Sequence, residues 1–185
     1  MTQENYITLK SINELITYNF NIPSYQRGYR WSDRQVIDLL DDIWEFTQNK
    51  KSNEEFYCLQ PIIVKETNKK WEVIDGQQRL TTIYIIIAYI NNNIFKDEGS
   101  TFTIEFDTRP DSQEFLSNIN ESKKEDNVDY YYICSAFQNI VEWFKSKGNA
   151  ALIATKFYPV LLDNTKVIWY QVNDDTDPIN IFTRI

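Results

Sequence analysis

The chain has 185 residues, and its 27 acidic residues outnumber its 19 basic ones, which gives a net charge of −8. So acidic a chain repels phosphates and is a poor general binder of nucleic acid unless a local basic patch offsets the repulsion. The chain contains no histidine, which excludes Ser-His-Asp catalysis, Cys-His catalysis and histidine-bound zinc from this chain alone.

Two capping-box patterns mark the first predicted helices. Ser-x-x-Glu at 11–14 predicts a short helix over 11–18, and the Asn-Ile-Pro that follows predicts an extended segment at 22–25. Ser-x-x-Gln at 32–35 starts a second helix, whose apolar residues recur at helical spacing. Its acidic side is either a partner-docking face or, as we favour, an ordinary solvated face. The apolar residues are Val36, Leu39, Leu40, Ile43 and Trp44, and the acidic ones are Asp38, Asp41, Asp42 and Glu45.

A β-hairpin and a long helix are predicted next. After a polar loop at 47–55, β-forming residues at 56–65 predict a strand despite Pro61. A turn at 68–70 leads to a second strand at 71–74. Gly76 separates that strand from an apolar helix, which we expect to run to about Ile94.

The remaining chain is predicted to be mainly helical. The predicted elements are a strand at 101–106, a short helix starting at 109–111, a loop at 118–127, helices at 128–147 and 150–160, and a strand at 167–172. Asp177-Pro178 is a typical helix start. That helix would end at Ile185 with its apolar face exposed, so we expect the chain to be a fragment of a longer protein.

The apolar content permits a packed core without a membrane segment. Hydrophobic residues make up 42% of the chain and aromatic residues 15%. The longest apolar run, at 83–90, is too short to span a bilayer, and the N-terminus is not a signal peptide. Cys58 and Cys134 lack metal-ligand spacing and are expected to be buried in a reducing compartment. We therefore expect a cytoplasmic protein.

A dense polar cluster lies between the second hairpin strand and the long helix. Its members are Asp75, Gly76, Gln77, Gln78, Arg79, Thr81 and Thr82. The first N–H groups of a helix lack internal partners and attract anions such as phosphate. Arg79 could add a forked donor, and Asp75 could hold a metal ion or a water. Asp-Gly alone is typical of an ordinary turn, and the two threonines have the alternative of bonding to their own helix backbone.

A second polar cluster lies at 22–31, just before the second helix. Arg27 and Arg30 could grip phosphates, and Tyr25, Tyr29 or Trp31 could stack on a base. The alternative is an ordinary loop whose aromatic residues fold into the core. Both clusters contain Gln-Arg before a helix, so their convergence on one cleft would hold a triphosphate. No Walker-type phosphate loop is present.

Together the two clusters resemble a known family. Ile-Pro-x-Tyr-Gln-Arg-x-Tyr-x-Trp at 22–31 and Val-Ile-Asp-Gly-Gln-Gln-Arg-Leu-Thr-Thr at 73–82 resemble the GmrSD-type restriction endonuclease N-terminal domain, a branch of the ParB/sulfiredoxin-like superfamily. The resemblance runs from about Ile12 to the end of the chain, including Ile-Phe-x-x-Ile at 181–185. Gly28 departs from the pattern, since the family often has proline there.

The resemblance implies both a fold and an activity. It implies an α+β fold with a ParB/sulfiredoxin-like mixed-sheet core at 1–110 and a helical extension with one strand at 111–185. It implies Mg²⁺-assisted binding and hydrolysis of a nucleoside triphosphate, regulating a restriction protein that acts on modified phage DNA. The nuclease module, often of the His-Asn-His type, would be a fused or associated domain absent from this chain.

The same resemblance implies roles for the clustered residues. The predicted catalytic residues are Asp75, Arg79, Arg27 and Gln78, with Asp75 also the metal ligand. The predicted nucleotide-binding residues are Tyr25, Gln26, Arg30, Gly76, Gln77, Thr81 and Thr82. Arg27 would neutralise charge on the transferred phosphoryl group, and Gln77 or Gln78 would hold the attacking water or a phosphate oxygen. The alternative function is a non-catalytic module that senses modified DNA by binding its backbone without nucleotide turnover.

Overall fold

A mixed β-sheet with helices packed on it forms the fold in the computed structural model, which describes residues 5–96, 99 and 101–173. The strands are β1 (Tyr6–Ser11), β2 (Asn19–Ile22), β3 (Tyr57–Thr67), β4 (Lys70–Asp75), β5 (Thr103–Phe106) and β6 (Thr165–Val172). The α-helices are α1 (Ile12–Leu15), α2 (Asp33–Asn49), α3 (Gln77–Tyr89), α4 (Ser112–Ser117), α5 (Val128–Ser146) and α6 (Ala150–Pro159). Short π-helical turns at Ile90–Phe95 and Val160–Asn164 continue α3 and α6, and Glu121–Lys123 is a 3₁₀ turn.

The six strands lie in the order β1-β6-β3-β4-β2-β5. The β1/β6 and β3/β4 pairs are antiparallel, whereas β6/β3, β4/β2 and β2/β5 are parallel. This mixture of helices with a mixed sheet confirms the predicted α+β class. Because β6 lies between β1 and β3, the predicted core 1–110 and the predicted extension 111–185 share one sheet.

The predicted hairpin is confirmed, with β3 and β4 joined at a tight turn. Asn68 and Lys69 have φ values of +53° and +63°, the left-handed pair that suits a two-residue hairpin loop. The β3/β6 register shifts between Leu59 and Ile62, at the position of Pro61. A bulge is where a strand tolerates proline, because no ladder hydrogen bond needs its missing N–H.

Both capping boxes start helices as predicted. The Ser11 N–H donates to Glu14 Oε2 at 2.7 Å, and the Ser32 N–H donates to Gln35 Oε1 at 2.9 Å. The predicted apolar stripe of α2 is buried at Val36, Leu39, Leu40 and Ile43. The helix nevertheless continues to Asn49, three residues into the predicted loop.

Two carboxylates on the acidic side of α2 are bound by the rest of the fold. Asp41 accepts hydrogen bonds from Trp143 Nε1 of α5 at 2.8 Å and from Nζ of Lys147, the C-cap residue of α5, at 2.9 Å. Asp42 accepts one from the Tyr57 hydroxyl at 2.8 Å. These contacts tie α2 to α5 and β3, so at these two positions the acidic side serves internal packing.

Several predictions differ from the structure. Strand β1 was not predicted, because this edge strand leaves Tyr6, Ile7 and Leu9 exposed and lacks the alternation of a half-buried strand. Cys134 is buried as predicted, but Cys58 is exposed, so the prediction for Cys58 is wrong. The predicted helix at 178–185 lies outside the described residues. Across the described ranges, no helix is long and apolar enough to cross a bilayer.

An aromatic cluster around Trp169 forms the centre of the sheet's packing. The Trp169 ring lies edge-on to Trp71 at 5.0 Å and to Tyr18 at 5.4 Å, and it lies 6.3 Å from Phe20. Such tilted ring pairs add attraction beyond the burial of apolar area. The cluster joins β6 to β4 and β2, and so it fixes the strand from which the polar turn before α3 emerges.

Candidate functional site

A cleft of about 570 Å³ opens where β4 ends and α3 begins. Both polar clusters line it, through Tyr25, Gln26, Arg27, Trp31, Asp75, Gly76, Gln77, Gln78 and Arg79. The two Gln-Arg pairs therefore border the same cleft, as the sequence predicted. Its volume lies in the range of about 300–1,000 Å³ that is usual for small-molecule sites.

The N-terminus of α3 forms one wall of this cleft. Gly76 is the N-cap residue and has a left-handed φ of +93°. Because the N-cap residue is glycine, it has no side chain to accept a hydrogen bond from the first turn of α3. That first turn carries unpaired donors and the positive end of the helix dipole, which together attract an anion.

The position of Gly76 is crowded as well as left-handed. A Cβ there would lie 3.1 Å from Ile62 Cγ1 and 3.2 Å from the Pro61 carbonyl oxygen. Since non-glycine residues rarely adopt this φ, glycine is required both by the backbone and by the space. The bulge of β3 thus shapes the entry to α3.

Replacing Gly76 with alanine should lower the free energy of unfolding by about 1–2 kcal/mol from backbone strain, with a further loss from the contacts with β3. Gly148→Ala is the matched control, because Gly148 has a φ of +118° but no atom within 4 Å of the added Cβ. Urea denaturation of the two variants measures the difference. An equal loss for both would contradict the crowding at Gly76.

Gln77 and Gln78 bind the loop at 25–31 to the start of α3. Gln77 Nε2 donates to the Arg27 carbonyl at 2.7 Å, and Gln78 Nε2 donates to the Gly28 carbonyl at 3.0 Å. Gln78 Oε1 accepts from the Arg30 N–H at 2.7 Å. Because the loop backbone occupies both ends of the Gln78 amide, the predicted role of Gln78 in holding a water is not supported. Gln78 positions the loop instead.

Gln26 binds the end of β4 from the other side of the loop. This side chain is 4% exposed, and its Nε2 donates to the carbonyls of Val73 and, at 3.0 Å, Ile74. Its predicted phosphate contact gives way to this tie between loop and strand. The Oε1 atoms of Gln26 and Gln77 are buried and have no hydrogen-bond partner among the described residues.

Arg79 lines the cleft, but its guanidinium is bound to the bulge of β3. Nη1 donates to the carbonyls of Gln60 at 3.2 Å and Pro61 at 2.9 Å, and Nη2 donates to Gln60 Oε1 at 2.7 Å. Burial lowers the pKa of Arg79, and the charge of Asp75 opposes that shift. Arg79 therefore contributes positive charge to the cleft, while the fork predicted to hold phosphate is used by the protein itself.

Arg27 and Asp75 are the charged groups most available in the cleft. The Arg27 side chain is exposed, and its guanidinium has no hydrogen bond or ion pair within the described part of the chain. Asp75 is half-buried at the end of β4. The cleft thus combines one uncommitted cation, one carboxylate and a helix N-terminus, which is a set suited to a phosphate ester.

Arg30 does not reach the cleft. It forms an ion pair with Asp129, and its guanidinium carbon lies 5.3 Å from the centre of the Tyr132 ring. Both contacts are with α5, on the far side of the loop from Gln78. The nucleotide-binding role predicted for Arg30 is therefore not supported by its position.

Thr81 and Thr82 are also removed from the cleft. Both are fully buried, and their hydroxyls donate at 2.9 Å to the backbone carbonyls of Gln77 and Gln78. Thr82 also lies 2.8 Å from the hydroxyl of buried Tyr29, whose pKa is raised by burial. The alternative considered for the threonines, bonding to their own helix, is what the structure shows. Tyr29 belongs to the core and not to a stacking surface.

The sequence did not identify Asp129, whose carboxylate contacts the cleft loop at Gly28 and Arg30. A Cβ at Gly28 would overlap the Asp129 carboxylate, and that carboxylate pairs with Arg30 and Arg109. The signal in the sequence was the glycine at 28, which leaves room for a neighbour. Nothing local identifies that neighbour, because Asp129 lies 99 residues beyond Arg30.

Asp75, the acidic residue that lines the cleft, is a suitable ligand for a metal ion that arrives with its other ligands. In the part of the chain that the structure describes, no three His, Cys, Asp or Glu side chains come together to hold a metal ion. Mg²⁺ bound with a nucleotide needs one or two carboxylates, since phosphate oxygens and waters complete its shell. Asp75 fits that arrangement.

One comparison with known proteins identifies a relationship. The family model described as "GmrSD restriction endonuclease, N-terminal domain" matches residues 9–185, which include both polar clusters. No curated protein matches the chain.

Proposed function

We propose, from the premise that the chain belongs to the GmrSD restriction endonuclease N-terminal domain family, that its cleft binds and hydrolyses a nucleoside triphosphate. Family membership makes the chain a module of a restriction-defence protein, and the proposed activity would regulate that protein. The observation that carries the proposal is the set of groups on one cleft: an α3 N-terminus without a side-chain cap, the uncommitted Arg27 and Asp75.

Each part of a nucleotide has a matching part of the cleft. The N–H groups at the start of α3 and the Arg27 guanidinium would bind the phosphates. Trp31 and Tyr25 offer aromatic surface for the base. The Tyr25 hydroxyl donates to Glu72 Oε1 at 3.2 Å, which holds that ring at the cleft wall. The cleft volume of about 570 Å³ accommodates a ligand of this size.

The chemistry would be an in-line attack of water on the γ-phosphorus. The new P–O bond forms as the bond to the β-phosphate oxygen breaks, which yields inorganic phosphate and a nucleoside diphosphate. Asp75 would orient the attacking water, and Arg27 would stabilise charge on the equatorial oxygens. Mg²⁺ held by Asp75 would neutralise phosphate charge when it is bound. Gln26, Gln77 and Gln78 would hold the loop so that Arg27 stays over the phosphates.

Phosphate release from each common nucleoside triphosphate in the presence of Mg²⁺ tests the proposal. Asp75→Asn should slow release about a hundredfold, because it removes the group that orients water without changing its shape. Asp38→Asn is the control, since the Asp38 side chain is 62% exposed on α2 and lies outside the cleft. Unchanged turnover in Asp75→Asn would remove Asp75 from the mechanism.

The same preparations distinguish the sensing alternative. A gel-shift titration at low salt, with modified and plain duplexes, detects DNA binding directly. If the modified duplex binds and no phosphate is released, the function of this module is DNA sensing and not nucleotide hydrolysis. The net charge of −8 disfavours DNA binding by this chain alone. We propose modified DNA and a fused or associated nuclease as partners of the restriction-defence protein to which this module belongs.

A further inference from the structure

Three separate segments meet at the carboxylate of Asp129. This residue lies in the first turn of α5, and it is 5% exposed. One carboxylate oxygen pairs with Arg30 of the cleft loop, and the other pairs with Arg109, which follows β5. A buried carboxylate is stable in its charged form only where such partners surround it.

The same carboxylate packs directly against the backbone of the cleft loop. Gly28 is the contact point, and any side chain there would displace Asp129. On the opposite side, Gln78 holds the Gly28 carbonyl and the Arg30 N–H. Residues 28–30 are therefore clamped between α3 and α5, and Arg27 is the next residue before the clamp.

The negative charge of Asp129 holds the guanidinium groups of Arg30 and Arg109 close to each other. Arg30 and Arg109 approach the same carboxylate, and burial, followed by the charge of Arg30, lowers the pKa of Arg109. Without a negative charge between them, the two guanidinium groups repel each other. Arg30 would then leave its place on Tyr132, and the loop backbone would lose its attachment to α5.

We infer that Asp129 is a positioning residue, which sets the place of Arg27 in the cleft through Gly28 and Arg30 without touching the nucleotide. This inference rests on the proposed function. It also implies that a movement of the α5 N-terminus changes turnover in the cleft, because α5 and the loop share this clamp.

A double-mutant cycle tests whether Asp129 acts through Arg27. Asp129→Asn should lower kcat about tenfold to a hundredfold, with a smaller change in KM, because misplacement of a catalytic group affects the transition state most. In an Arg27→Ala background, Asp129→Asn should cause no further loss, since the group that it positions is gone. If the kcat loss of the double variant equals the product of the two single losses, Asp129 has a general structural role and the inference is overturned. Asp126→Asn, an exposed acid three residues earlier, is the control.

Amide hydrogen exchange provides a readout that is independent of turnover. The Arg30 N–H is hydrogen-bonded to Gln78, so its exchange reports whether the loop stays clamped. Exchange at 28–30 should rise in Asp129→Asn and stay unchanged in Asp126→Asn. Unchanged exchange in both variants would overturn the inference. If the wild-type chain releases no phosphate, the proposed function fails, and the exchange result still decides the clamp.

Gly28→Ala provides a second variant in case Asp129→Asn folds poorly. Its methyl group should push the Asp129 carboxylate off the loop while every charge remains. The rise in amide exchange at residue 30 and the loss of kcat should therefore be similar in Gly28→Ala and Asp129→Asn. A folded Gly28→Ala protein with wild-type exchange and wild-type kcat would contradict the clamp.

Discussion

Phosphate release should fall about a thousandfold when Arg27 is replaced by alanine, because a transition-state arginine contributes at least that factor in phosphoryl transfer. Among the described residues, no hydrogen bond or ion pair holds its guanidinium, so the group can move onto a ligand without breaking an internal contact. Steady-state phosphate release at saturating nucleotide measures the loss.

Two further arginine variants sharpen this prediction. Arg34→Ala is the matched control, because the Arg34 side chain is 89% exposed on α2 and pairs only at 3.5 Å with Asp38. Its turnover should equal that of the wild type. Arg27→Lys keeps the charge but loses the fork, and it should recover a part of the rate. Full activity in Arg27→Ala would show that the cleft does not use this cation and would end the proposed mechanism.

Replacing Trp169 with alanine should lower the free energy of unfolding by about 3–5 kcal/mol, the usual cost of removing a buried aromatic side chain. Trp169 is 1% exposed and contacts rings from β2 and β4, so the cavity would lie at the centre of the sheet. Urea denaturation followed by circular dichroism measures the change.

Leu152→Ala is the control for this stability prediction. Leu152 lies on α6 and is 57% exposed, so its truncation should change stability by less than about 0.5 kcal/mol. The contrast also tests the architecture, because Trp169 comes from the segment that the sequence assigned to an extension. A loss below about 1 kcal/mol for Trp169→Ala would contradict the placement of β6 within the sheet.

Local chemistry explains the parts of the fold that the sequence predicted correctly. The capping boxes at Ser11 and Ser32 and the hairpin turn at Asn68 and Lys69 are encoded by neighbouring residues. The position of the cleft was predictable for the same reason, since a strand that runs through Asp-Gly into an apolar helix specifies where the helix N-terminus lies.

The individual roles in the cleft were not predictable, because they depend on backbone groups that are distant in sequence. Gln78 is satisfied by carbonyl and N–H groups 48 and 50 residues away, and Arg79 by carbonyls 18 and 19 residues away. A glutamine or arginine in a motif looks the same from the sequence whether it holds a ligand or holds a loop. Arg27 differs from them, because no hydrogen bond or ion pair holds its guanidinium among the described residues.

The sheet order has a consequence for the newly made chain. Among the described strands, β1 pairs only with β6, and β6 also pairs with one edge of β3. During synthesis the ribosome releases β1, β3 and β4 long before β6. The edge of β3 that pairs with β6 therefore stays unpaired until β6 has been made. Long-range strand pairing of this kind is slow and exposes the nascent chain to aggregation. Among the described strands β6 is therefore the one that completes the sheet, and it can do so only after the other five have been made.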